Sequence, residues 1–101
     1  MTDICVYTNE KVLERKKNKG FIPDHCWWGL LHIPRQLKEG DRIYFATNGH
    51  VKGYFVIEEI NKKKKRIIFH SNSWMPTPQL PKYKCRKFQE SKYVWWDNEA
   101  S

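Results

Sequence analysis

Between Arg42 and Ile60 the chain runs through two β-rich segments, Arg42 to Ala46 and His50 to Ile60, separated only by Thr47-Asn48-Gly49. Alternating β-branched and aromatic residues around an Asn-Gly pair are a strong short-range signal for an antiparallel hairpin. The faces can be assigned by parity. A two-residue Asn-Gly turn sets Phe45 opposite Lys52 and Ile43 opposite Tyr54, which mixes polar and apolar residues on each face. A three-residue loop with Gly49 left-handed sets Phe45 opposite Val51 and Ile43 opposite Gly53. It lines Ile43, Phe45, Val51, Gly53, Phe55 and Ile57 along one face. A one-residue slip reverses every side chain, so the three-residue loop is expected, with Phe45 and Phe55 buried together. Gly53 inside a strand marks a bend or a close backbone approach.

The other segments arrange themselves around this hairpin. Ile4 to Thr8 reads as a first strand and Asn9 to Asn18 as a short helix, capped by Thr8 or Asn9 and stopped near Gly20. Phe21 to Trp28 reads as an ordered loop, and Gly29 to Ile33 as a short strand or a turn of helix. Arg66 to Ser71 is the next strand. Asn72 to Pro81, with three prolines, is irregular; Tyr93 to Trp96 closes the sheet, and Asp97 to Ser101 fray. Several strands, one or two short helices and long loops predict an α+β fold built on a small β pseudo-barrel, with residues 1–101 as a single domain.

Composition narrows the function. Nineteen Lys and Arg against eleven Asp and Glu give a net charge of +8 on 101 residues, and 15% of the residues are aromatic. Excess cations point to phosphate backbones or other anionic partners. They cluster in Lys16-Lys17-Asn18-Lys19, in Lys62 to Arg66 and in Lys82 to Lys87, the second run reading as a hairpin tip. No apolar run nears the ~20 residues of a membrane span. The N-terminal Met1-Thr2-Asp3 opens no signal peptide, so a cytoplasmic protein without membrane contact is expected. Cys5, Cys26 and Cys85 are odd in number and widely spaced, which suits reduced thiols. His25, Cys26, His32 and Cys85 lack the close pairing of zinc ligands, and no metal or cofactor is expected.

Leu37-Lys38-Glu39-Gly40-Asp41-Arg42-Ile43-Tyr44-Phe45, followed by Lys52-Gly53-Tyr54-Phe55-Val56-Ile57, resembles the entry and return strands of the PUA-like superfamily, with its EVE, ASCH and YTH domains. Cys26-Trp27-Trp28-Gly29 and Tyr93-Val94-Trp95-Trp96 are similar to EVE- and ASCH-type ends. The likeness spans Trp27 to Ile60 well and the rest loosely. It implies a PUA-like pseudo-barrel that binds RNA or DNA and holds one base, single-stranded or flipped out and in some branches modified, in an aromatic-lined pocket. Some small ASCH-type proteins are instead amidohydrolases acting on acylated nucleosides through Lys, Thr and Glu side chains. Arg15 to Lys19 offers no such Lys-Thr pair, which favours the binding module.

Five tryptophans supply the stacking candidates. In an extended segment Trp27 and Trp28 point to opposite sides, as do Trp95 and Trp96, so one of each pair packs inward and the other is left for surface or cleft. Trp28 and Trp74 are expected to line the base pocket, with Trp27 in reserve. Asn72 and Ser73, beside Trp74, are placed to hydrogen-bond a base edge. Lys62, Lys63, Lys64 and Lys65 are assigned to phosphate. No catalytic motif is present, and Glu58-Glu59 alternate across a strand. A regulatory module whose basic face meets an acidic protein is the third class that this composition allows.

Overall fold

The computed structural model describes residues 3–17 and 25–96. Strand β1 (Ile4–Tyr7) leads into helix α1 (Glu10–Lys17), and β2 (His25–Gly29) precedes the hairpin of β3 (Arg42–Thr47) and β4 (His50–Asn61). Strands β5 (Arg66–His70), β6 (Met75–Pro76) and β7 (Ser91–Tyr93) follow, with one-turn 3-10 helices at Ser71–Ser73 and Pro81–Tyr83. The strand order is β2-β5-β4-β3-β1-β7, with β6 alongside β4. Strand β1 runs parallel to β3 and the other pairings are antiparallel. The result is a small mixed α+β domain whose sheet curls into a half-barrel.

The long strand β4 produces the curl. It pairs with β3 up to Val56 and with β5 from Ile57 onward, and the register shifts twice, at Lys52 and at Glu58. Each extra residue bends the strand and steepens its twist.

The first of these bulges corrects the expected hairpin while keeping its faces. The turn is the two-residue Asn48-Gly49, both left-handed with φ of 47° and 86°, and Thr47 pairs with His50. Such a turn matches the twist of the strands it joins. The bulged Lys52 then places Phe45 opposite Gly53 and Ile43 opposite Phe55, where Val51 and Gly53 were expected. A longer loop and a bulge both add one residue, so the parity beyond Lys52 is the same. Phe45 and Phe55 share a face, 5.5 Å apart and edge to face. Val51 lies before the bulge and goes to the opposite face, with Tyr44 and Ala46.

Both sheet faces are covered, which is why every residue of Ile43–Thr47 is buried. On the inner face Ile4, Val6, Ile43, Phe45, Phe55, Ile57, Ile67 and Phe69 pack under Leu13 of α1. On the outer face Cys5, Tyr44, Ala46 and Val51 are roofed by Tyr83 and Trp96. The alternation along β1 and β3 sends successive residues to the two cores. Helix α1 is capped by Asn9, whose Oδ1 accepts the Val12 N–H at 2.9 Å. Its last turn carries Arg15, Lys16 and Lys17 against the negative end of its dipole. The expected stop at Gly20 lies outside the described residues.

Three further expectations are revised. His25 to Trp28 form a strand rather than a loop, because β5 supplies a full ladder from His25–His70 to Gly29–Arg66; residues 21–24 lie outside the described residues. The chain then leaves the sheet at Leu30. The closing strand is Ser91–Tyr93, not Tyr93 to Trp96: Trp96 turns in to meet Tyr44 and Tyr83 edge to face at 4.8 and 5.0 Å. The fraying expected for Asp97 to Ser101 falls outside the described residues. Lys62 to Lys65 form the β4–β5 turn, as expected. Among the described residues no helix is long and apolar enough to cross a membrane.

Cys5 and Cys85 are free thiols, and Cys26 and Cys85 pack with different cores. Burial pushes the Cys5 thiol far above its usual range and raises that of Cys85 as well. The thiolate is the reactive form. In the native protein a thiol reagent is therefore expected to label Cys85 slowly and Cys5 and Cys26 only on unfolding. Fast native labelling of Cys5 would contradict this packing.

Candidate nucleic-acid interface

Edge strand β2 sorts its tryptophans by alternation. Cys26 and Trp28 turn toward the core, where the Trp28 ring meets Phe45 edge to face at 5.1 Å. Trp27 points the other way and is 48% exposed. Its indole leans over Gly29, where an added Cβ would stand 3.5 Å from the ring. Arg66, the cross-strand partner of Gly29, lays its guanidinium carbon 4.0 Å from the Trp27 ring centroid.

The end of α1 is tied to the same strand. Lys16 Nζ donates to the Trp27 carbonyl at 2.9 Å, and Cys26 Sγ donates to the Lys16 carbonyl at 3.4 Å. Lys16 Nζ also lies 5.9 and 5.4 Å from the Trp27 and Trp28 ring centroids. Trp27 is thus a wall shared by two clefts. One, of 460 Å³, is lined by Val12, Arg15, Lys16, Cys26 and Trp27. The other, of 260 Å³, is lined by Cys26, Trp27, Asn61, Lys64, Arg66 and Ile68. Among the described residues these linings hold four cations and no carboxylate, which makes their local field positive. Asn61 Oδ1 accepts the Lys64 N–H at 3.0 Å, which leaves its amide N–H groups as what it can offer a ligand.

The other expected site residues are distributed as follows. Trp74 is half-buried on Phe55, ring centroids 4.9 Å apart, with Lys17 Nζ 5.0 Å from its centroid. Trp27, Trp28 and Trp74 therefore gather around the last turn of α1, although Trp28 and Trp74 line neither cleft beside Trp27. Ser73 Oγ accepts the Val56 N–H at 3.1 Å and donates to the His70 carbonyl at 2.8 Å; Asn72 is exposed next to it. Of the four turn lysines, Lys64 lines a Trp27 cleft, while Lys62, Lys63 and Lys65 do not.

Arg15, Lys16, Asn61 and Arg66 were not among the expected site residues. Arg66 reaches Trp27 only because β2 pairs with β5, and that pairing is hidden when residues 21–28 are read as a loop. The Lys16-Lys17 run was the available signal, but its charge is also what a helix C-terminus favours.

A second polar cluster sits at the β3–β4 turn. Glu10 Oε2 accepts from Thr47 Oγ1 at 2.9 Å and from Asn48 Nδ2 at 3.2 Å, and Lys52 Nζ lies 3.8 Å away. The Lys52 bulge delivers that lysine. Tyr7 hydroxyl accepts the Gly49 N–H at 2.7 Å, and a cleft of 350 Å³ beside it is lined by Tyr7, Thr8, Asn9, Asn48 and Lys87.

Comparison with protein-family models, with curated proteins and with solved structures finds no match to this chain.

Proposed function

We propose that this protein is a PUA-like binding module that takes single-stranded or flipped-out RNA or DNA in the cytoplasm, stacking one base on Trp27. The observation that carries this reading is a half-exposed indole shared by two clefts and surrounded by Arg15, Lys16, Lys64 and Arg66. The guanidinium of Arg66 braces the ring, and the base takes the indole surface left open. Arg15, Lys16 and Lys64 meet phosphates, and the Asn61 amide reaches a base edge. The curled sheet and helix α1 support the family resemblance, as does the turn at Gly40-Asp41. There Asp41 Oδ2 accepts the Lys38 N–H at 2.9 Å and its carbonyl accepts the Ile57 N–H at 2.9 Å.

Stacking is worth about 1–3 kcal/mol per base, or about 5- to 150-fold in affinity. Trp27→Ala is therefore expected to weaken binding of a labelled single-stranded oligonucleotide by that factor while leaving the melting temperature close to wild type. Trp27→Phe should retain part of the affinity. Trp28→Ala and Trp74→Ala should lower the melting temperature instead, since both rings pack on the core. Affinity should fall as salt rises, with a log–log slope of about 0.7 per phosphate neutralised. Unchanged binding in a folded Trp27→Ala variant, or no binding at low salt, would defeat the reading. Binding to acidic protein but not to oligonucleotide would favour the regulatory module.

A second reading, an amidohydrolase acting on an acylated nucleoside, is favoured by one observation: Glu10, Thr47 and Lys52 converge at the β3–β4 turn. Against it, Thr47 is fully buried. Turnover of an acylated nucleoside that disappears in Lys52→Ala, with folding intact, would establish it.

A further inference from the structure

The turn that sends Lys64 to the Trp27 cleft sends its neighbours elsewhere. Lys62 and Lys65 line a separate cleft of 310 Å³, together with the chain segment from Leu31 to Arg35. The two clefts adjoin through the backbone. Gly29 pairs with Arg66, and the Leu30 N–H donates to the Lys65 carbonyl at 2.9 Å. The chain that leaves Trp27 and Trp28 thus runs directly into the second cleft.

Two features there are unfavourable for the free protein. Leu31 is 68% exposed, although its backbone is pinned: both carboxylate oxygens of Glu90 accept its N–H, at 3.0 and 2.8 Å. Lys65 holds a φ of 55°, which non-glycine residues adopt at a cost. A glycine would sit there without strain. The lysine brings a charge to the cleft in exchange for that strain, and a rigid exposed leucine offers apolar surface for a ligand to cover.

We propose that this cleft is a second nucleotide subsite on one continuous single-strand track. It takes a neighbouring nucleotide of the strand whose base stacks on Trp27, and so rests on that reading. Leu31 and Pro34 pack against the sugar and base, while Arg35, Lys62 and Lys65 meet phosphate. Glu90 keeps its charge while it accepts the Leu31 amide, but Arg35, Lys62 and Lys65 outnumber it, so the cleft stays net positive. The Lys62–Lys65 turn separates the subsites and contributes to both.

The test uses labelled oligothymidylates of increasing length, starting from the mononucleotide, on the full chain. Wild type should show a step in affinity at the length that first reaches the second cleft. Arg35→Ala with Lys62→Ala should remove that step and lower the salt slope by about 0.7 for each phosphate that is no longer neutralised, leaving mononucleotide affinity unchanged. Lys65→Gly should bind the longer oligomers several-fold more weakly and yet melt at a higher temperature, an outcome that a merely structural lysine does not produce. If Trp27→Ala weakens every length while these variants, still folded, bind like wild type, the second subsite is overturned and the Trp27 platform stands. If no length binds at low salt, both fall. If polyglutamate binds as tightly and loses affinity in the same variants, the cleft is a general polyanion site, and the nucleotide assignment is overturned.

Discussion

Replacing Phe55 with alanine is expected to cost the domain about 3–5 kcal/mol of stability, the range for emptying a fully buried aromatic site. The ring lies in the middle of the inner core and touches aromatic neighbours on three sides. It stacks on Phe69 at 4.4 Å, meets Phe45 edge to face at 5.5 Å and supports Trp74 at 4.9 Å. Those partners come from β3, β5 and the segment before β6, so collapse around the hole would have to move several strands at once. Because close-packed interiors relax only partly, most of the cavity penalty should remain. For a domain of this size that is a large share of the whole folding free energy. Urea denaturation should show the midpoint falling with little change in slope. Val56→Ala, one residue away on the opposite face and 40% exposed, is the control and should change stability by less than about 1 kcal/mol. A loss below about 1 kcal/mol for Phe55→Ala would mean that the inner core is not assembled around this ring.

Gly53→Val should have the next largest effect, about 3 kcal/mol, at the upper end of the usual cost of overpacking. A Cβ at this position would stand 2.5 Å from both the Met75 carbonyl oxygen and the Trp74 ring. Gly53 also pairs with Phe45 on one side and Pro76 on the other, so the strand cannot shift without breaking a ladder. The side-chain clash can be relieved by trimming Trp74, but the backbone clash cannot. Gly53→Val combined with Trp74→Ala should therefore recover only part of the stability that Gly53→Val removes. Recovery to the level of Trp74→Ala alone would show that only the indole, and not the β6 backbone, approaches the glycine.

The hairpin was the most legible part of the chain because parity is a local property. Separating apolar from polar residues around Asn48-Gly49 was enough to place Phe45 and Phe55 together. Parity cannot distinguish an extra residue in the turn from one in the strand, so the bulge at Lys52 stayed hidden and Val51 was assigned to the wrong face. The in–out division of Trp27 and Trp28 was legible for the same reason of alternation. Trp95 and Trp96, expected on opposite sides of an extended strand, lie past β7 with their rings 4.8 Å apart, and packing rather than alternation leaves one exposed and the other buried. Which indole stays open depends on what packs nearby: Trp28 meets Phe45, and Trp74 meets Phe55 and Gly53, while Trp27 faces outward from an edge strand.

The sequence by itself determined the β-rich class, the hairpin with Phe45 and Phe55 on one face, a helix cap at Thr8 or Asn9, the cationic excess, and a bend or close approach at Gly53. Each of these follows from side-chain period, turn chemistry or charge, which act over a few residues. Only the tertiary structure decided that residues 25–29 form a strand, that Tyr83 and Trp96 cover the second face of the sheet, and that Arg15, Lys16, Lys64 and Arg66 converge on Trp27. Those outcomes depend on packing between residues far apart in the chain. Whether such residues meet is set by which surfaces remain unburied once the sheet has curled, and no local pattern encodes that.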